Sequence, residues 1–99
     1  MAASKQLHLS GPATADLEQI SDYTLRTWGA AQKRIYLDHI KDAFKALRDT
    51  PGMGAPCDAT AKGLRAHPVR HHLVFYRETT AAVVIVRVLH ASMDPDHHL

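Results

Sequence analysis

Cationic and imidazole side chains that could act on a phosphate group are concentrated in the C-terminal half of this 99-residue chain. Between positions 62 and 92, five Lys and Arg residues oppose the single acid Glu78, and four histidines lie in the same stretch. Arginine can neutralise phosphate oxygens, and histidine or tyrosine can move a proton. The same basic surface would suit an acidic protein partner. The net charge of +2 is low for a free-standing DNA-binding protein, so we expect no direct nucleic-acid binding.

Eight histidines raise the question of a metal site, but their spacing does not favour one. His71-His72 and His97-His98 are adjacent pairs, and neighbours on a strand point to opposite faces. No pair has the spacing of a zinc motif, and Cys57 is the only cysteine. We therefore expect neither a metal nor another cofactor. A single thiol also excludes an internal disulfide, which favours a cytoplasmic location.

Two helices should position the first half of the chain. Ser10-Gly11-Pro12 is a helix-start signal, with Ser10 as the cap and Pro12 tolerated in the first turn. Apolar residues then recur at helical spacing up to Trp28, and Gly29 ends the helix. A second apolar series predicts a helix over 30–49, which Pro51 stops. The short link at Gly29 predicts an antiparallel helix hairpin.

Strands should make up most of the rest. Alternation at 5–10 predicts a short first strand, and 51–63 is predicted to be a loop because it is rich in Gly and Pro. Three strands follow at 64–69, 71–77 and 82–89, the first an edge strand or bulged because of Pro68. The β-branched run in the last strand is typical of a central strand covered on both faces. The sequence thus predicts one α+β domain over residues 1–99, with the order β-α-α-β-β-β and a helix hairpin packed on a mostly antiparallel sheet.

Short motifs along nearly the whole chain resemble ParE-type toxins of the RelE/ParE superfamily. They are Leu9-Ser10-Gly11-Pro12-Ala13, Asp16-Leu17-Glu18-Gln19-Ile20, Tyr23, Trp28-Gly29, Tyr36-Leu37, Phe44-Lys45-Ala46-Leu47, Pro51, Gly63-Leu64-Arg65, the run 72–77, the run 85–90, Met93-Asp94-Pro95 and His98-Leu99. The resemblance implies the toxin of a type II toxin–antitoxin pair. It further implies a ParD-like antitoxin encoded beside it, which dimerises and wraps the toxin with a flexible tail, so that two toxins would join one antitoxin dimer.

The resemblance leaves two modes of action open. Some ParE-type members inhibit DNA gyrase, whereas RelE-type members cut mRNA on the ribosome. This chain has Arg65, Tyr76 and Arg87, but other positions of the RelE set do not match. His72 or Leu73 stands where those relatives place an arginine, and no tyrosine follows Tyr76. We therefore expect a non-enzymatic toxin with no catalytic residue. Ribosome-dependent cleavage is the alternative, with His97 or His98 as the acid or base. A third possibility is a member that retains only antitoxin binding.

Candidate contact residues follow from this reading. For the cellular target we select residues of the last strand and the segment after it, together with one arginine of the basic half: Arg65, Arg87, His90, Met93 and His98. For the antitoxin we select Trp28, because tryptophans at helix ends often anchor interfaces, with Tyr36, Arg70 and Arg77. Arg87 interrupts an apolar strand, so it could instead form a structural ion pair with an acid on the helices.

Overall fold

The fold is described here for residues 5–99 of a computed structural model. Helix α1 spans Gly11–Trp28, and helix α2 spans Ala30–Asp49. Ser10 caps α1, its side-chain oxygen accepting a hydrogen bond from the backbone N–H of Ala13 at 3.0 Å. Only Gly29 separates the helices, with a φ of 90° that favours glycine. The predicted limits of both helices and their single-residue link are confirmed.

Five strands form one sheet in the order β1-β5-β4-β3-β2. They are β1 Gln6–Leu9, β2 Ala55–Pro56, β3 Arg65–Val69, β4 His72–Glu78 and β5 Ala82–His90. Only β1 and β5 are parallel, and the other pairs are antiparallel. The predicted α+β class is therefore confirmed, together with the mostly antiparallel sheet and the central position of β5. Pro68 lies beyond the part of β3 that pairs with β2, so its missing N–H costs no ladder bond.

The apolar core lies on both faces of the sheet. Val74 and Tyr76 of β4 face the helix hairpin and pack with Ile40, Phe44 and Leu47 of α2. Because neighbouring side chains on a strand alternate, Phe75 lies on the opposite face, where it packs with Leu64 and Leu89. The register between β4 and β5 shifts here: Phe75 pairs with Arg87 and Tyr76 with Ile85, so Val86 is an extra residue in β5.

Two short elements were not predicted. The segment predicted as a loop at 51–63 contains a 3₁₀ turn, Pro51–Met53, and the two-residue strand β2. After β5 the chain forms a one-turn helix, α3, at Pro95–His98, which Asp94 caps through the N–H of Asp96. Neither segment is long enough to show a hydrophobic period. Among residues 5–99, no helix has the length and apolar character needed to cross a bilayer.

Candidate functional site

A groove of about 1030 Å³ lies beside the helix hairpin, where it meets the end of the sheet. One wall is α1 from Asp16 to Trp28, and the second is α2 from Gln32 to His39. The turn between β3 and β4, the end of β5 and Met93 complete the lining. Asp16 and Trp28 are twelve positions apart, so the groove extends for about 18 Å along α1 at 1.5 Å per residue. That length equals about three turns of a helix.

Large apolar side chains stand exposed around this groove. Trp28 is 68% exposed, Tyr23 61%, Ile35 49% and Met93 37%. They are half of the eight large hydrophobic residues that lie exposed within residues 5–99. Several exposed apolar side chains around one groove are typical of a protein-binding site. The sequence analysis selected Trp28 and Met93 but missed Tyr23 and Ile35. The helical spacing of apolar residues up to Trp28 was the signal that indicated an apolar face on α1.

An ion pair between a buried carboxylate and a partly buried guanidinium forms the groove's floor at the sheet end. Arg87 donates to Asp16 twice, from Nε to Oδ2 at 2.7 Å and from Nη2 to Oδ1 at 2.8 Å. The backbone N–H of Val88 also donates to Asp16 Oδ2, at 2.9 Å. Because β1 pairs with β5 only as far as Ile85, the outer edge of β5 beyond that point needs another partner. Asp16 supplies that partner. The side-chain hydrogen bond from Arg87 to Asp16 is also the main cause of the raised pKa of Arg87.

Arg87 also connects this floor to the C-terminal segment. Its Nη1 donates to the carbonyl oxygen of His98 at 2.6 Å. The turn before α3 is closed by a hydrogen bond from the Met93 N–H to the His90 carbonyl oxygen, at 2.9 Å. The ion pair to a helix acid, which the sequence left as an alternative for Arg87, is therefore present. The guanidinium is a structural link between α1, β5 and α3.

Tyr36 and the histidines of β4 and β5 form the next part of the groove. Tyr36 Oη accepts a hydrogen bond from the His71 N–H at 3.2 Å and lies 2.5 Å from His72 Nδ1. The His72 ring meets the His90 ring edge-on, with centroids 5.4 Å apart. Burial lowers the pKa of His72 to about 4, and the neighbouring His90 and His71 add to that depression. His72 is therefore neutral near pH 7, and its Nδ1 shares one hydrogen bond with Tyr36 Oη.

Arg70 occupies the turn between β3 and β4 with a left-handed backbone, at a φ of 57°. It is the one non-glycine residue with a positive φ among residues 5–99. Two-residue hairpin turns such as Arg70-His71 commonly need a positive φ, which glycine or asparagine adopts at lower cost than arginine. The guanidinium Nη2 lies 2.8 Å from Nε2 of His39 on α2. None of the carboxylates in the described part of the chain forms a salt bridge with it.

The structure thus brings together most of the selected residues from both candidate sets. Trp28, Tyr36 and Arg70, selected for the antitoxin, line the same groove as three residues selected for the target: Arg87, His90 and Met93. His98 joins them only through its backbone carbonyl. Arg77 lies outside the groove, exposed on β4 opposite Val84. Arg65 is also elsewhere and donates to the carbonyl oxygen of Gly54 at 2.6 Å.

The residues considered for RNA cleavage are separated or already engaged. The side chain of Tyr76 is fully buried, and its hydroxyl donates to the Pro51 carbonyl oxygen at 2.7 Å and accepts from the Gly54 N–H at 2.8 Å. This hydroxyl holds the 3₁₀ turn against the sheet. Arg65 supports the same turn, so both residues have structural partners. Within residues 5–99, no three His, Cys, Asp or Glu side chains are placed to hold a metal ion.

Comparison with known proteins supplies the family. A sequence model described as "ParE toxin of type II toxin-antitoxin system, parDE" matches residues 7–95. The chain belongs to the ParE toxin family. Toxin ParE1 of Mycobacterium tuberculosis (strain H37Rv) is 37% identical over 97 residues, which are 97% of this chain and 99% of that protein. Toxin ParE1 of Caulobacter vibrioides is also 37% identical, over 96% of this chain and 98% of its own length.

One further curated relative and one solved structure are also similar to this chain. Toxin ParE of Escherichia coli is 33% identical over 87 residues, covering 87% of this chain and 84% of that protein. A solved structure titled "Chromosomal ParDE TA system from P. aeruginosa" matches with a TM-score of 0.76 at 20% identity, over 88% of this chain and 96% of that one. That structural match supports the ParE-like fold. The resemblance identified in the sequence is confirmed.

Proposed function

We propose that this ParE-family toxin acts by binding a cellular target, DNA gyrase, and is neutralised by a ParD-like antitoxin whose tail occupies the groove. The exposure of Tyr23, Trp28, Ile35 and Met93 around one groove carries the proposal. In a small domain such side chains are usually buried unless a partner covers them. Aromatic residues in particular anchor protein interfaces.

The residues selected for the antitoxin and those selected for the target lie in the same groove, which explains how the antitoxin would neutralise the toxin. Arg87, His90 and Met93 line the groove from the sheet side, and Trp28 and Tyr36 line it from the helices. An antitoxin segment lying in the groove would cover the residues assigned to the target. Neutralisation would then be direct competition for one surface.

Binding rather than catalysis is supported by how the RelE-type residues are used. Tyr76 is buried with its hydroxyl engaged, and Arg65 donates to a backbone carbonyl. Transfer of a proton to or from a ribose oxygen needs such groups free and close together. The toxin should therefore inhibit gyrase-catalysed DNA supercoiling and leave ribosome-bound mRNA intact. Both assays are run with the same purified protein, and cells producing it should filament.

Each other outcome of these assays identifies a different mechanism. Cuts in mRNA at codon boundaries that disappear in a His98→Ala variant would establish the RelE-type alternative. Loss of both activities in a protein that still binds its antitoxin would identify a member that retains only antitoxin binding.

The C-terminal segment provides a second test of the target surface. Met93, α3 and the Arg87–His98 hydrogen bond place this segment at one end of the groove, yet it contributes no residue to either core cluster among the described residues. A variant lacking residues 91–99 should fold and bind antitoxin but no longer arrest growth. A truncated protein that folds and remains toxic would contradict this assignment.

The expected assembly follows from the same groove. The toxin alone should aggregate or bind surfaces because its apolar side chains are uncovered. With a dimeric ParD-like antitoxin it should form a particle of two toxins and two antitoxins, measured by light scattering after gel filtration. A one-to-one complex, or toxin dimers without antitoxin, would contradict this arrangement.

A further inference from the structure

The groove has two ends of different chemistry. The end near the helix link is apolar and aromatic, with Trp28, Tyr23 and Ile35 exposed. The opposite end, at the sheet, is lined by two arginines and four histidines: Arg70, Arg87, His39, His71, His72 and His90. The one carboxylate there, Asp16, is already bound to Arg87. Arg70 is therefore the arginine at this end that forms no salt bridge with an acid of residues 5–99.

We infer that Arg70 binds a carboxylate of the segment that occupies the groove, and so fixes the direction in which that segment lies. The inference rests on the proposed function, because it takes the occupant to be the antitoxin tail. The bound segment places apolar side chains against Trp28, Tyr23 and Ile35 and an aspartate or glutamate against Arg70. An arginine can hold a carboxylate through two parallel hydrogen bonds, which gives orientation as well as affinity.

Three observations support Arg70 as the residue that binds the carboxylate. Its guanidinium is held at 2.8 Å from His39 Nε2, which leaves its other N–H groups available for a partner. Its backbone is kept in the left-handed region, a conformation that glycine or asparagine would adopt more easily. The neighbouring His72 is neutral and already bonded to Tyr36, so it does not compete for the carboxylate.

The backbone of Arg70 gives the inference a distinctive signature. Arg70→Asn and Arg70→Gly relieve the strain of a positive φ, so both variants should unfold at a higher temperature than the natural protein. Both also remove the guanidinium, so they should bind the antitoxin more weakly. A residue with only a structural role would show a loss of stability together with any loss of binding.

The experiment uses the ParD-like protein encoded beside the toxin gene as the probe, with the dissociation constant measured against full-length toxin. Arg70→Asn and Arg70→Gln should weaken binding by about tenfold or more. Arg70→Lys keeps the positive charge but lacks the planar guanidinium, so its dissociation constant should lie between those of these two variants and that of the natural protein. Raising NaCl from about 50 to about 300 mM should weaken the natural complex more than the Arg70→Gln complex. Arg34→Gln is the matched control, because Arg34 is exposed on α2 and does not line the groove, and it should stay within about twofold.

A double-mutant cycle identifies the partner residue. One acid of the antitoxin tail, replaced by its amide, should cost about tenfold against natural toxin and almost nothing against Arg70→Gln. Unchanged affinity in the folded Arg70→Asn and Arg70→Gln variants would overturn the inference while leaving the proposed function standing. Equal weakening by Arg34→Gln would also overturn it, since the effect would then be one of overall charge. Absence of any complex with natural toxin would overturn both.

Discussion

Removal of the Asp16 carboxylate should be among the most destabilising single changes in this protein. Asp16 accepts three hydrogen bonds, two from Arg87 and one from the Val88 N–H, and its side chain is only 8% exposed. Asp16→Ala leaves a partly buried guanidinium without a carboxylate and a buried N–H without an acceptor. Breaking a buried pair from one side costs about 3–5 kcal/mol. Arg87 is 21% exposed and keeps the His98 carbonyl, so we expect the lower limit, about 3 kcal/mol.

The size of the effect should depend on what replaces the carboxylate. Asp16→Asn retains an oxygen that can accept from Val88, so its cost should be about half as large. In the double variant Asp16→Ala/Arg87→Met the unpaired charge is absent, and part of the loss should be recovered. About 1 kcal/mol should remain, because the Val88 N–H still has no acceptor.

Urea unfolding followed by circular dichroism measures these free energies of unfolding. Asp22→Ala is the matched control, since Asp22 lies exposed on the same helix and its carboxylate forms no salt bridge among residues 5–99. It should change the free energy by less than about 0.5 kcal/mol. A loss below about 1 kcal/mol for Asp16→Ala would show that water replaces the carboxylate and would refute the argument.

Two further predictions concern stability. The pKa of His72 is about 4 in the folded protein but near the ordinary histidine value in the unfolded chain. Between about pH 6.5 and 4 the unfolded chain therefore binds more protons than the folded protein. The free energy of unfolding should fall as the pH drops through that window. Because the imidazole is half-buried, the loss should be about 1–2 kcal/mol in urea titrations at several pH values, and it should shrink in His72→Phe. Gly54→Ala would place a Cβ 2.5 Å from the buried Tyr76 hydroxyl, so it should cost about 2–3 kcal/mol in thermal unfolding. Gly52→Ala, whose Cβ would meet nothing within 4 Å, should be nearly neutral, and equal losses for the two alanines would contradict the packing argument.

The helices were predictable because residues close to each helix end set its limits. Ser10, Gly29 and Pro51 act within a few residues of themselves, and the structure ends the elements where those signals stand. The strand β2 and helix α3 are too short to leave a period in the sequence. Their positions depend on contacts with distant residues, as when Tyr76 holds Gly54 through its hydroxyl.

The candidate site was only partly predictable for the same reason. An arginine within an apolar strand predicts that an acid must meet it, and this is found. The sequence cannot name that acid, because Asp16 and Arg87 are 71 positions apart and Asp16 is equally explained by its place near the start of a helix. The left-handed backbone of Arg70 has no signal in the sequence, since the turn carries neither glycine nor asparagine.

The position of Trp28 allows its intrinsic fluorescence to report binding in the groove. It is the only tryptophan of the chain, and it stands at the apolar end of the groove, away from both core clusters. Its side chain is already mostly exposed to water in the free protein, so denaturation should change its surroundings little. A bound segment would instead transfer it to an apolar contact and shift its emission to shorter wavelength. Intrinsic fluorescence should therefore follow occupation of the groove without a label, while circular dichroism follows folding, and the two events can be separated in one sample.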